Sequence, residues 1–178
     1  FDKRHAQHVA DVSGMLFDAL QKHHRLDARA SVMLTLAAVL HEIGTFVSIS
    51  AYHKHSLYLI QNSELFGLSQ LDLQIVALVA RYHRRASPKP THTGYSNLSR
   101  QDRVVVSKLA SILRVADALD RSYSQRIRDF MCAVQKDRLI ITVAGVDDLS
   151  LEQIALKQTA QLFEETYGLS VLMRRERV

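Results

Sequence analysis

Six residues of this chain combine metal-binding or proton-handling side chains with a position on, or at the end of, an apolar helical pattern. They are His5, His41, Glu42, His55, His83 and Asp117. Imidazole and carboxylate groups are the ligands that hold divalent metals such as Zn, Mn or Fe in hydrolases. Such a metal activates water or polarises a phosphoryl oxygen. If the helices pack as a bundle, side chains from separate helices can converge in its core.

The adjacent pair His41 and Glu42 follows the apolar run 34–40 and precedes Ile43 and Gly44. Buried charged groups require a partner, a metal or a shifted pKa, so this pair is predicted to belong to a site. Asp117 lies within an almost wholly apolar stretch. It must therefore pair with Arg114 or Arg121, bind His41, or hold a metal.

A second chemical signal is the basic run Arg81, Arg84, Arg85 and Lys89. Arg84 and Arg85 end a predicted helix, where cations favour the helix dipole. The loop that follows carries hydroxyl groups that can contact phosphate together with Lys89. These basic residues therefore form either a solvated helix end or an anion-binding surface.

Composition limits the classes of protein to which the chain can belong. It has 178 residues, of which 47% are hydrophobic, and a formal net charge of +5. This suits one medium domain, or one domain with a small appendage, and allows an anionic partner. The single cysteine, Cys132, indicates a reducing compartment. We expect a cytoplasmic protein without a membrane span, and the opening Phe1 suggests a piece of a longer protein.

The elements that must position these residues are mostly helices. Apolar spacing and capping residues predict five helices. The first runs through about His24, and the second runs from Asp27 to a stop at Gly44. The other three run from Ser50 to about Asn62, from Ser69 to about Arg84, and from Ser99 to about Ser122. Pro88 and Pro90 force a loop between the last two. Two strands, a helix over about 149–167 and a third strand then predict a β-β-α-β unit.

The spacing of the candidate residues resembles the HD superfamily of metal-dependent phosphohydrolases. The segments that carry the resemblance are 5–10 with its first histidine, 41–44 with His-Glu where that family has His-Asp, and 113–117 with its late aspartate. The resemblance implies a divalent metal (Mn, Mg, Fe or Zn) held by His5, His41, Glu42 and Asp117. His55 and His83 occupy the positions of the extra histidines in two-metal members. Glu42 for Asp moves the carboxylate out by one methylene, so the site either holds a metal or has lost it.

A closer resemblance is to the C-terminal half of the exopolyphosphatase / guanosine pentaphosphate phosphohydrolase (Ppx/GppA) family. Segments 52–56, 81–85 and 113–122 carry it, and it covers nearly the whole chain. In that family phosphoanhydride hydrolysis belongs to N-terminal actin-like domains. The resemblance therefore implies that this region binds the polyanionic substrate or forms a homodimer.

We therefore predict a mainly α fold: an HD-like helical bundle (residues 1–126) followed by a small α/β domain (127–178). The predicted function is polyphosphate or guanosine pentaphosphate binding and oligomerisation, with hydrolysis by N-terminal catalytic domains of the same polypeptide. Two alternatives stay open. One is an autonomous metal-dependent phosphohydrolase acting on nucleotide phosphates, and the other is a catalytically silent regulatory module.

Overall fold

The computed structural model describes residues 1–177 and contains, within them, eight α-helices and three strands. The predicted class, a helical bundle with a small α/β appendage, is confirmed. The elements are α1 (Lys3–Ala19), α2 (Gln21–His24), α3 (Ala28–Leu40), α4 (Tyr52–Gln61), α5 (Gln70–Arg81), α6 (Arg100–Ala118), β1 (Phe130–Gln135), β2 (Arg138–Val143), α7 (Ser150–Thr159), α8 (Gln161–Tyr167) and β3 (Ser170–Arg175).

Three helix starts follow the predicted caps. The side chain of Asp27 accepts from the backbone N–H of Ala30 at the start of α3. Ser69 and Asp72 form a reciprocal capping box on α5, and Ser99 caps α6. Side-chain oxygens at these positions satisfy backbone N–H groups that have no partner within the helix.

The predictions for Ser50 and Gly44 were wrong. Helix α4 begins at Tyr52, after Ala51 with a left-handed φ of 54°. Helix α3 ends at Leu40, and Gly44 lies in the 3₁₀ turn Ile43–Phe46. A Cβ on Gly44 would lie 2.1 Å from the carbonyl oxygen of Tyr52. Gly44 therefore allows the start of α4 to approach the turn that follows α3, rather than ending a helix.

Helix α6 is the central element of the fold. It packs against α1, α3 and α5 in the first part of the chain and against α7 and α8 in the last part. Its side chains from Leu109 to Ala118 are buried. Because α1, α3 and α6 contact one another, residues near their ends can meet in the interior.

The three strands form one sheet in the order β1-β2-β3. β1 and β2 are an antiparallel hairpin, and β3 pairs parallel to β2 after the crossover through α7 and α8. The helix predicted over 149–167 is interrupted at Ala160, and the first predicted helix at Leu20. The core of apolar residues runs from α1 through α6 to the sheet. The division into residues 1–126 and 127–178 stays a prediction, and Val178 lies outside the described residues.

None of the helices in residues 1–177 has the length and apolar character needed to span a membrane.

Candidate functional site

The candidate site is a buried cluster where α1, α3 and α6 meet. One ligand atom from each of His5, His41 and Asp117 lies within 4.8 Å of the other two. Both imidazoles are fully buried, and Asp117 is 8% exposed. Residues 112 positions apart in sequence are thus in contact, as the predicted helical bundle requires.

Of the residues in this cluster, His41 has the side chain that is best positioned to bind a ligand. It follows the last residue of α3, and its Nδ1 donates to the carbonyl oxygen of Ala38 at 2.5 Å. Ser56 fixes the backbone behind it by donating to the His41 carbonyl oxygen at 2.8 Å. Its Nε2 has no hydrogen-bond partner among the described residues, and the nearest carboxylate oxygen, Asp117 Oδ1, lies 3.4 Å away. An unpartnered, buried imidazole nitrogen is costly unless a ligand uses it.

His5 lies between two aspartates. Its Nδ1 is 2.7 Å from Asp120 Oδ2, and its Nε2 is 3.0 Å from Asp117 Oδ1. Burial lowers the pKa of His5, but the hydrogen bonds to Asp117 and Asp120 outweigh burial and raise the pKa to about 9. The ring is therefore an imidazolium at neutral pH when no other cation is present.

Asp117 interacts with both histidines through one oxygen. Its Oδ1 is also 3.4 Å from His41 Nε2, while Oδ2 lies 3.8 Å from Arg121. Burial alone would raise the pKa of Asp117, but His41 and His5 hold it well below the ordinary value. Among the predicted partners, Arg114 is not used. It donates instead to the carbonyl oxygens of Tyr82 (2.6 Å) and Ala86 (2.5 Å).

Glu42 extends the cluster at its edge. Its Oε1 is 3.7 Å from His5 Nε2 and has no hydrogen-bond partner in residues 1–177. Its Oε2 accepts a hydrogen bond from Tyr123. The Tyr123 ring stacks on His5 with centroids 3.8 Å apart. Sequence reasoning missed Tyr123, which has a left-handed φ of 57° that sequence patterns do not indicate for a tyrosine.

His83 connects the cluster to the basic run. Its ring contacts that of His41 with centroids 4.8 Å apart, and Tyr52 donates to its Nε2 at 3.0 Å. Burial, followed by the neighbouring His41, lowers the pKa of His83 to about 3. The guanidinium of Arg84 lies over the Tyr52 ring, 4.9 Å from its centroid. Tyr52 therefore joins a cation on the surface to the buried histidines.

His55 does not join this cluster. It lies half-buried on α4 and is not among the grouped ligand atoms of His5, His41 and Asp117. A second metal site formed by His55 and His83 stays a prediction. In the structure, Nε2 of His83 accepts a hydrogen bond from Tyr52.

The four predicted anion-binding residues lie near the end of α5 and in the next loop. Arg84, Arg85 and Lys89 are exposed, and Arg81 is half-buried. Within the described residues, none of the four forms an ion pair with a carboxylate. Burial, together with the positive charges of Arg84, Lys54 and Arg81, lowers the pKa of His53 on α4. This face of the bundle therefore carries several positive charges that no carboxylate neutralises within the described residues.

The donor set around His41 fits a divalent cation. Two ligands of one first-row metal ion lie roughly 3 to 3.5 Å apart, given bonds of about 2.1 Å. The separations here are 3.0 Å from Asp117 Oδ1 to His5 Nε2 and 3.4 Å to His41 Nε2. Asp120 on the far nitrogen of His5 is the outer carboxylate that usually orients a metal-ligating histidine. His5 would have to release the proton on Nε2 for a metal to bind.

Comparison with known proteins gives one family. The description "Ppx/GppA phosphatase, domain III" matches residues 1–165. A relative from Pseudoalteromonas translucida, named guanosine-5'-triphosphate,3'-diphosphate pyrophosphatase, is 30% identical over 140 residues, covering 78% of this chain and 27% of the relative. A relative of the same name from Photobacterium profundum is 25% identical over 168 residues, covering 89% and 32%. The chain thus matches between 27% and 32% of the length of these relatives.

Proposed function

Because the chain belongs to the Ppx/GppA phosphatase domain III family, we propose that it binds the phosphate-rich substrate of a longer phosphatase, either polyphosphate or guanosine pentaphosphate. Hydrolysis of the terminal phosphoanhydride bond then belongs to N-terminal catalytic domains of the same polypeptide. Support comes from the relatives, in which the matched region is only 27% to 32% of the length. Their printed name specifies guanosine 5'-triphosphate 3'-diphosphate, which favours the nucleotide as the substrate.

The observation that carries this proposal is the set of cations without carboxylate partners at the end of α5. Arg81, Arg84, Arg85 and Lys89 have no ion pair within the described residues. Unpaired guanidinium groups are the preferred donors for phosphate oxygens, which they can bind in a bidentate manner. Arg84 also reaches the buried histidines through Tyr52. A polyanion on this face would therefore lie beside the His41 cluster.

Assembly is the second part of the proposal. Phe46, Val47 and Ile49, which follow the His41-Glu42 pair, are 73%, 57% and 80% exposed. Three large apolar side chains so close in sequence are unusual on a monomer surface and favour an interface. We assign this face to a homodimer contact or to the other domains of the polypeptide. The single cysteine supports a reducing compartment, so the proposed location is the cytoplasm.

A second candidate function is an autonomous metal-dependent phosphohydrolase, favoured by Nε2 of His41 and Oε1 of Glu42, which have no hydrogen-bond partner within the described part of the chain. The residues that would hold Mn, Mg, Fe or Zn are His5, His41, Glu42 and Asp117. A bound ion supplies a Lewis acid and an activated water. The protein's own part is positioning. Asp120 orients His5, and Tyr123 holds one oxygen of Glu42 so that the other stays free.

Two measurements separate these functions. The first is elemental analysis of the purified chain and of His41→Ala, with hydrolysis of nucleoside triphosphates assayed on both. Stoichiometric metal and hydrolysis that are lost together in the variant support the second candidate. The second is titration with polyphosphate at low and high salt. Salt-sensitive binding by a chain that does not hydrolyse nucleotides supports the first, whereas no binding at low salt contradicts it.

A further inference from the structure

A cavity separate from the histidine cluster lies between α4, α5 and the loop before α6. Its volume is 580 Å³, within the range of small-molecule sites. None of His5, His41, His83 or Asp117 lines it. Its lining includes Leu57, Gln61, Arg81, His92, Asn97 and Leu98.

The loop that forms one wall is held firmly in place. Arg114 donates to the carbonyl oxygen of Ala86 at its start, and Arg103 donates to those of Tyr95 (3.2 Å) and Ser96 (2.5 Å) near its end. Between them Gly94 has a φ of 88°, and a Cβ there would lie 2.2 Å from Nε2 of Gln74 on α5. The left-handed φ is the feature that favours glycine here, since the nearby Gln74 side chain can move aside. The cavity is therefore preformed.

Two side chains with N–H groups, Arg81 and His92, line this space. Arg81 lies half-buried in the wall, and its Nε is buried without a hydrogen-bond partner in residues 1–177. The buried Tyr82 lies 2.5 Å from Nδ1 of His92. Burial raises the pKa of Tyr82 to about 12, so its hydroxyl keeps its proton at neutral pH, and the hydrogen bond to Nδ1 fixes the orientation of the His92 ring. In the tautomer in which Tyr82 donates to Nδ1, His92 offers an N–H group at Nε2.

The lining also indicates what kind of molecule fits. Among the described residues it contains no carboxylate, and Arg81 is its only full positive charge. The remaining wall combines neutral amide and hydroxyl groups with the apolar side chains of Leu57 and Leu98. A polyphosphate chain offers charge on every phosphorus and no apolar surface, so it matches the exposed cations better than this cavity. A single phosphate attached to a neutral, polar body matches the cavity.

We propose that this cavity is a binding site for a small phosphate monoester of the sugar phosphate or nucleoside monophosphate class. Arg81 and the Nε2–H of His92 bind the phosphate oxygens. The amides of Gln61 and Asn97 bind the neutral body, which packs on Leu57 and Leu98. The site is distinct from the exposed basic surface formed by Arg84 and Arg85. This proposal depends on the proposed polyanion binding only through Arg81, which belongs to both sites.

The test is isothermal titration of the 178-residue chain with adenosine 5'-monophosphate, ribose 5-phosphate and inorganic phosphate. We expect the two monoesters to bind at least tenfold more tightly than inorganic phosphate. Arg81→Gln and Asn97→Leu are both expected to weaken monoester binding by tenfold or more. Asn97 is exposed, so its variant is expected to fold. Circular dichroism verifies the fold of each variant.

The matched control is Arg84→Ala/Arg85→Ala, which removes two charges outside the cavity. It is expected to leave monoester binding within twofold while weakening polyphosphate binding. If the control weakens both ligands equally, the cavity is not a separate site and the inference is overturned. Equal affinity for inorganic phosphate and the monoesters, or full binding by Asn97→Leu, also overturns it. A wild-type chain that binds the monoesters but not polyphosphate counts against the proposed function but not against the cavity.

Discussion

Asp120 Oδ2 lies 2.7 Å from Nδ1 of His5, on the side of the ring that faces away from Asp117. Asp120 is 1% exposed, and it also accepts from the backbone N–H of Gln125 at 2.7 Å. Its carboxylate is thus fixed from the loop after α6. The pair sets both the orientation and the charge of His5, so the loop controls a residue at the centre of the cluster.

The first prediction concerns this pair. Asp120→Asn keeps the shape of the side chain but removes the negative charge that orients His5. Outer-shell substitutions of this kind weaken metal binding by about 10- to 100-fold. Titration of metal-depleted protein with Zn²⁺ or Mn²⁺ measures the change. Asp11→Asn, on the exposed face of α1, is the matched control. Equal affinities in the wild type and Asp120→Asn would contradict the proposed orienting role.

Tyr123 gives the second prediction. Tyr123→Phe keeps the ring stacked on His5 but removes the hydrogen bond to Glu42. A hydrogen bond to a charged group contributes about 1.5 to 3 kcal/mol, so the free energy of unfolding should fall by about that amount. Urea denaturation measures it. Tyr58→Phe, where the side chain is 63% exposed, should change stability by less than about 0.5 kcal/mol. Equal effects of the two variants would rule out a structural role for the Tyr123–Glu42 contact.

The third prediction concerns pH. His24 is fully buried; its Nε2 donates to the carbonyl oxygen of Phe17, and its Nδ1 accepts from the N–H of Leu26. Burial lowers the pKa of His24 below the value of 6.5 that it has when unfolded. Below pH 6.5 the unfolded chain therefore binds a proton that the folded chain does not. The contribution of His24 to stability is present above pH 6.5 and is lost as the pH falls.

The free energy of unfolding is measured with urea at about pH 7.5 and about pH 5.5, on either side of the pKa of His24 in the unfolded chain. The change between the two pH values is then compared between wild type and variants. His24→Gln is expected to lose less stability between these pH values than the wild type. His23→Gln, at the exposed neighbouring position, should behave like the wild type. The same pH dependence in His24→Gln and wild type would show that His24 does not contribute.

The fourth prediction compares two glycines. A Cβ on Gly44 would lie 2.1 Å from the carbonyl oxygen of Tyr52 and 2.4 Å from the backbone nitrogen of Ser56. Gly44→Ala must therefore displace α4, and a loss of about 3 kcal/mol is expected. Gly14, within α1, has no atom within 4 Å of its Cβ position among the described residues. Gly14→Ala should stabilise the fold by about 0.5 to 1 kcal/mol. Thermal denaturation compares the two, and tolerance of Gly44→Ala would contradict the close approach.

Much of the fold follows from local signals in the sequence. Asp27, Ser69 and Ser99 cap their helices because short polar side chains satisfy free N–H groups there. The resemblance to the Ppx/GppA family, which is confirmed, follows from motif order rather than from geometry. Ser50 does not cap α4, because the N-cap position is Ala51, whose left-handed φ of 54° runs against the local preference of an alanine.

The candidate site could be predicted only in part. His5, His41 and Asp117 were identified because polar residues are conspicuous on apolar helices. Asp120 could have been added, since it lies three residues after Asp117, but helix periodicity alone does not indicate that α6 ends at Ala118 and turns. Tyr123 could not have been found, and Tyr52 entered only as part of segment 52–56, which carries the family resemblance, without a role of its own. Their roles depend on how α4 and the loop after α6 approach the histidines, and both are contacts between distant segments.

The central claim, that the cations at the end of α5 bind a phosphate-rich anion, is tested most directly by titrating the chain with polyphosphate at low salt. The proteins are the wild type, Arg84→Ala/Arg85→Ala, and Arg174→Ala/Arg177→Ala as a control with the same change of net charge at exposed positions. We predict roughly a tenfold or greater loss of affinity for the first variant, since each charge-assisted hydrogen bond contributes about 1.5 to 3 kcal/mol. The control should bind within about twofold of the wild type, as expected for distant, screened charges. Equal losses in the two variants would show that binding follows net charge alone and would contradict the assignment.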